Sequence, residues 1–127
     1  LTDVRFPVLI QLNWFPQYSY GDRGDLADKP EHWRKLAAGV EGDAGLTVVS
    51  GLTINNITAR RSDNKCFSRA FFIEGYPERP VAGLTLEGIV IDATEFGKIS
   101  GVVGMLFKDV QVTAVEITQE CNDSYER

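Results

Sequence analysis

Histidine is almost missing from this chain. There is one, His32, alongside two cysteines and one methionine. Such a set cannot assemble a zinc site at the usual ligand spacings, and no cluster of Asp and Glu reads as a calcium site. Neither a metal nor another cofactor is therefore expected. Positive charge is also the minority, with 13 Lys and Arg against 18 Asp and Glu, a formal net charge of −5 and a pI near 4.8. Ala59–Arg61 is too short to be a basic stripe, which removes nucleic acid as a partner. No apolar run approaches the roughly 20 residues of a membrane helix, so no membrane partner is expected. The pattern of a signal peptide is missing too, and Leu1 stands where Met would begin a nascent chain. The expectation is a processed chain or a piece of a longer protein.

What is present is a core. Hydrophobic residues make up 43% of 127 residues, enough for one folded domain over 1–127. Its organisation shows in "GLTINNITAR" (51–60). Leu52 and Ile54 alternate with polar residues as in a strand, and then Ile57 falls out of phase after Asn55 and Asn56. "GLTLEGIVID" (83–92) repeats the slip at Gly88, and "GMLFKDVQVT" (104–113) repeats it at Asp109. "LTDVRF" (1–6) fits as the second half of another copy, slipping at Asp3. Gly, Asn and Asp are the residues that enter the left-handed backbone region most cheaply. Asp3, Asn56, Gly88 and Asp109 are thus predicted to be left-handed corners in one shared column.

A fixed short unit separated by variable loops suits stacked coils, and coils of about 20 to 25 residues with several short strands suit a parallel β-helix. The competing reading is a set of ordinary turns in an antiparallel sandwich. Between the first and second copies, a segment at about 15–45 is rich in Gly, Asp, Pro and aromatics. Within it "DKPEHWRKLAAG" predicts a short helix with Pro30 in its first turn, Gly39 at its end, and Trp33, Leu36 and Ala37 on one face. Phe6–Trp14 predicts a strand buried on both faces, and a polar tail begins at about 119. Cys66 and Cys121 fall on different coils, which argues against a bridge.

Five pieces in this order, "FPVLIQLNWFPQYSY", "KPEHWRKL", "GLTINNITAR", "FFIEGYPERPVAGLTLEGIVIDA" and "GKISGVVGMLFKDVQV", resemble the C-terminal coils of glycoside hydrolase family 28, the polygalacturonase-like family, in its bacterial form. The resemblance runs from Leu1 to about Thr113. It implies a right-handed parallel β-helix, a secreted or periplasmic location and a pectic or related polysaccharide as substrate. It also implies inverting hydrolysis, in which one carboxyl protonates the leaving oxygen while carboxylates activate water. The family's Asn-x-Asp, Asp-Asp, Gly-His-Gly and Arg-x-Lys motifs do not occur in these 127 residues. The expectation is therefore a segment with no catalytic residues of its own, completing the helix and one side of a sugar cleft.

In the family, a tyrosine often ends a strand and faces the sugar. The matching stretch "PVLIQLNW" places Asn13 or Trp14 there, with Tyr18 just beyond. Trp14 would stack on a sugar face and Asn13 would bond hydroxyls; the alternative for all three is packing under the inserted helix. His32 reads as a solvated helix position, and Glu74 and Glu78 as part of a turn built on Tyr76 and Pro77. Arg60, Arg61 and Arg69 could bind carboxylates of a pectic chain, but read first as surface charge. The alternatives to a hydrolase segment are a self-standing β-helix that binds carbohydrate or assembles with another subunit, and a polysaccharide lyase. An open first coil would also expose an apolar end, predicting a homo-oligomer.

Overall fold

A computed structural model describes residues 1–12, 29–38, 45–62 and 66–116 of the chain. Its regular structure is strand apart from one helix. In chain order the elements are β1 (Val8–Gln11), α1 (Glu31–Ala38), β2 (Ser50–Ala59), β3 (Arg69–Glu74), β4 (Val81–Ala93), β5 (Glu95–Ser100) and β6 (Val102–Ala114). They form two three-stranded sheets, β1-β3-β5 and β2-β4-β6. Every pairing between these strands is parallel. Successive strands alternate between the sheets, and like residues stack in columns. Leu52 pairs with Leu84 and Leu84 with Met105; Ile57 pairs with Ile89 and Ile89 with Val110. An antiparallel sandwich is ruled out for these strands.

Left-handed backbone appears at the predicted residues. Asp3, Asn56 and Asp109 have φ of 53°, 55° and 53°, and Gly88 has 61°. In β4 the fully buried residues are Val81, Leu84, Leu86, Ile89, Ile91 and Ala93, so alternation by two is broken twice, between Val81 and Leu84 at left-handed Gly83 and between Leu86 and Ile89 at left-handed Gly88. One residue of reversed hand lets both flanks turn their apolar side inward. The strand continues through both points rather than ending at them.

One member of the set was misplaced. Thr2 bridges Arg60, and the Asp3 N–H donates to the Arg60 carbonyl at 3.0 Å, so Asp3 lies beside Arg60–Ser62 and outside the Asn56–Gly88–Asp109 column. The apolar phase of a six-residue stretch reveals a slip but not which strand it lies beside.

The core lies between the sheets. Phe71 and Ile73 of β3 meet Leu84, Leu86, Ile89 and Ile91 of β4, all fully buried. Each such side chain contributes about 1.5–3 kcal/mol on burial. A polar clamp ties the entries to β3 and β5. Ser68, only 3% exposed, donates its N–H to Thr94 Oγ1 at 2.9 Å, and the Thr94 hydroxyl donates back to the Ser68 carbonyl at 2.6 Å.

Three further expectations are corrected. β1 is not buried on both faces: Val8 is 4% exposed and Leu9 is 53%, the alternation of a strand with one solvated side. Pro30 stands one residue before α1 rather than at its first position, its carbonyl accepting the first helical bond from the Arg34 N–H at 3.0 Å. Cys66 is disulfide-bonded. Neighbouring parallel strands lie only about 4.8 Å apart, within bridging range, so distance along the sequence does not keep two cysteines apart. The second cysteine, Cys121, lies outside the described residues, as do the side chains of Trp33, Leu36 and Ala37.

Candidate functional site

Asn13, Trp14 and Tyr18 lie outside the described residues; what the structure shows is the platform from which that segment departs. β1 pairs with β3 through Gln11 and Glu74, and the ladder runs on, Leu12 N–H donating to the Glu74 carbonyl at 3.1 Å. The Tyr76 hydroxyl donates to the Leu12 carbonyl at 2.8 Å. Tyr76 is 6% exposed, so this bond is sheltered from water. Both polar groups of the Leu12 backbone are thereby fixed one residue before Asn13. The Gly-Tyr-Pro turn does this by folding the ring back over the end of β1, which agrees with Tyr76 as its organising residue.

The outward face beside this point is charged. Glu74 accepts from the Gln11 amide at 3.4 Å and from Lys98 Nζ at 2.9 Å. The Glu74 carboxylate is thus engaged by an amide and an ammonium, while Glu78 is exposed on the turn. Lys98 is half exposed, and the link contributes about 0–1 kcal/mol. Among the described residues no group of three His, Cys, Asp or Glu could hold a metal.

The three arginines singled out in the sequence have internal partners. Arg60 reaches Asp92 at 3.4 Å, and Arg61 donates to Ser68 Oγ at 2.6 Å. Arg69 pairs with Glu95, and its guanidinium also lies over Phe67 at 4.9 Å and Phe72 at 5.8 Å. Phe6 meets Phe72 edge to face at 5.9 Å. This aromatic and arginine cluster was not foreseen; Phe6, Phe67 and Phe72 are scattered in the sequence and meet only because strands stack. His32 is exposed on α1, beside an exposed Glu31–Lys35 pair at 2.9 Å.

A small recess of about 60 Å³ is lined by Asp3, Val4, Arg5, Arg61, Cys66, Phe67 and Ser68. It is well below the roughly 300–1,000 Å³ of ordinary ligand pockets. At its edge the Asp3 carboxyl is held below its usual range, first by the Ser62 hydroxyl, then by the Ser62 N–H, and further by the Arg61 charge. The described surface thus offers a strand end held by Tyr76 and an aromatic, charged outer face.

The chain matches no family model, no curated protein and no solved structure.

Proposed function

We propose that the chain is the C-terminal segment of a polygalacturonase-like glycoside hydrolase, folded as a right-handed parallel β-helix, and that it completes the helix and one wall of a cleft for pectic polysaccharide. The observation that supports this best is the alternation of strands between two parallel sheets in constant register. Successive parallel strands of one sheet are then joined through a strand of the other, and such crossovers are right-handed in the great majority of proteins. The disulfide at Cys66 fits a secreted or periplasmic location.

In this reading the chemistry belongs to carboxylates on coils that precede Leu1. The contribution of these residues is placement. Tyr76 anchors Leu12, and the Gln11–Glu74–Lys98 link steadies the adjoining strand ends. The following Asn13, Trp14 and Tyr18 would meet sugar hydroxyls and ring faces. The second reading, a non-catalytic β-helix that assembles with another subunit, is favoured by the exposure of Phe96 and Phe107, each 46%, at the β5–β6 end.

The test uses the purified chain and polygalacturonate. Affinity electrophoresis should show retardation that Trp14→Ala weakens several-fold, while no reducing ends appear. Release of reducing ends by the chain alone would refute its catalytic incompleteness. Unchanged mobility on polygalacturonate would remove the cleft-wall role and leave the assembly reading. An Asn-x-Asp and Asp-Asp series encoded upstream of Leu1 would support the hydrolase directly.

A further inference from the structure

The two ends of the β2-β4-β6 sheet are unequal. At the β2 end, residues Leu1–Asp3 already occupy part of the outer edge. The Leu1 amine donates to the Thr58 carbonyl at 2.8 Å, Arg60 N–H donates to the Leu1 carbonyl at 2.9 Å, and Thr2 bridges Arg60. At the other end β6 is an edge strand among the described residues, and it is long, spanning Val102–Ala114. Its column partners in β4 measure what is missing. Leu86 is fully buried, whereas Phe107, its register partner, is 46% exposed. Phe96 of β5 is equally exposed, and both rings pack on buried Phe71, at 6.5 Å and 5.1 Å.

We propose that the β6 edge is a self-association surface that takes a second copy of this chain in antiparallel register about a two-fold axis between Lys108 and Asp109. The sequence of β6 is self-complementary about that point. Antiparallel strands place directly opposite residues on the same face. Phe107 then faces Val110 of the second copy, and Met105 faces Val112. In each chain Met105, Val110 and Val112 already lie against the core, so the pairing extends both cores across the junction. Lys108 faces Asp109 of the second copy, twice by symmetry. Both are exposed, and neither has an ion-pair partner among the described residues.

The reversed-hand residue sits at the same centre. Asp109, with φ 53°, divides β6 into an arm that turns Met105 and Phe107 inward and an arm that turns Val110 and Val112 inward. A two-fold axis there exchanges the arms and keeps both apolar sides inward. Head-to-tail stacking of β6 on β2 would instead set Lys108 against Asn55 and Asp109 against Asn56, with no opposite charges, and would have to displace Leu1–Asp3. It would also leave an open end for further copies, whereas the isologous pairing closes. This inference does not depend on the substrate.

Cysteine cross-linking of the full chain separates the outcomes. In the proposed register Leu106 lies opposite Gln111 of the second copy, both exposed. Leu106→Cys combined with Gln111→Cys should give a covalent dimer on non-reducing gels after mild oxidation, and either single substitution should not. Leu106→Cys combined with Thr53→Cys should stay monomeric on the gel; a ladder of oligomers from that pair would establish head-to-tail stacking and overturn the proposal. Sedimentation should show a concentration-dependent dimer, weakened at least tenfold by Lys108→Glu, which sets Glu against Asp twice at an exposed position. A wild-type monomer at hundreds of micromolar, or a dimer indifferent to Lys108→Glu, would also overturn it.

Discussion

Asn56 shows how much one residue carries. Its φ of 55° is tolerated by Asn and Gly and costs a β-branched residue about 1–2 kcal/mol in backbone strain. It stacks over Gly88, where an added Cβ would lie 3.1 Å from the Asn56 side-chain oxygen. Asn56→Val should therefore lower thermal stability by several degrees, and Asn56→Gly should change it little; calorimetry of the two variants checks this. A neutral Asn56→Val would mean that the left-handed residue is not required. Asp3 is left-handed for a different use, since its carboxylate accepts from the hydroxyl and N–H of Ser62. These bonds favour the ionised form and lower its pKa, so their stabilisation is present above the usual Asp range and is lost as pH falls through the depressed value. Carbon-detected NMR titration should find Asp3 below the ordinary Asp range, and Ser62→Ala should move it back up. An Asp3 that titrates at the ordinary Asp value would contradict the geometry.

At the scale of elements, β4 is the centre. It is paired on both edges, and its inward residues from Val81 to Ala93 are fully buried. β2 and β6 have the same pattern but, apart from buried Ala59, are half-buried or exposed, because each is paired with one neighbouring strand. Opening β4 requires breaking two ladders, and opening β6 requires one. Hydrogen exchange should accordingly be slowest in β4, with β6 amides exchanging at least tenfold faster at a concentration where the chain is monomeric. Equal protection in both would mean that the stack opens only as a whole. The other sheet shows why glycine recurs at contacts between strands. Gly97 pairs with Phe71, and a Cβ there would fall 1.9 Å from the Phe71 carbonyl oxygen, a clash no rotamer relieves. The glycines that begin the repeated units, Gly51, Gly83 and Gly104, have positive φ in their own column, with values of 61°, 79° and 67°. Their recurrence at the head of each repeated unit is legible in the sequence, but a glycine there leaves no side chain to mark the change of phase.

For the whole molecule, local chemistry and long-range placement divide the outcome. The order of apolar and polar residues, with Gly, Asn or Asp at each break, determined by itself that short strands would change face at Asn56, Gly88 and Asp109. Side-chain alternation and backbone hand are properties of a few neighbouring residues, so a single chain reveals them. Only the tertiary structure decided which strand end Asp3 lies beside, that Cys66 is bridged, that Arg60, Arg61 and Arg69 are engaged internally, and that Tyr76 anchors the strand leading to Asn13. It also decided that Phe107 is exposed where Leu86 is buried. Each of these depends on residues from 7 to 64 positions apart meeting through stacking, and periodicity along a chain holds no information about which strand lies next to which.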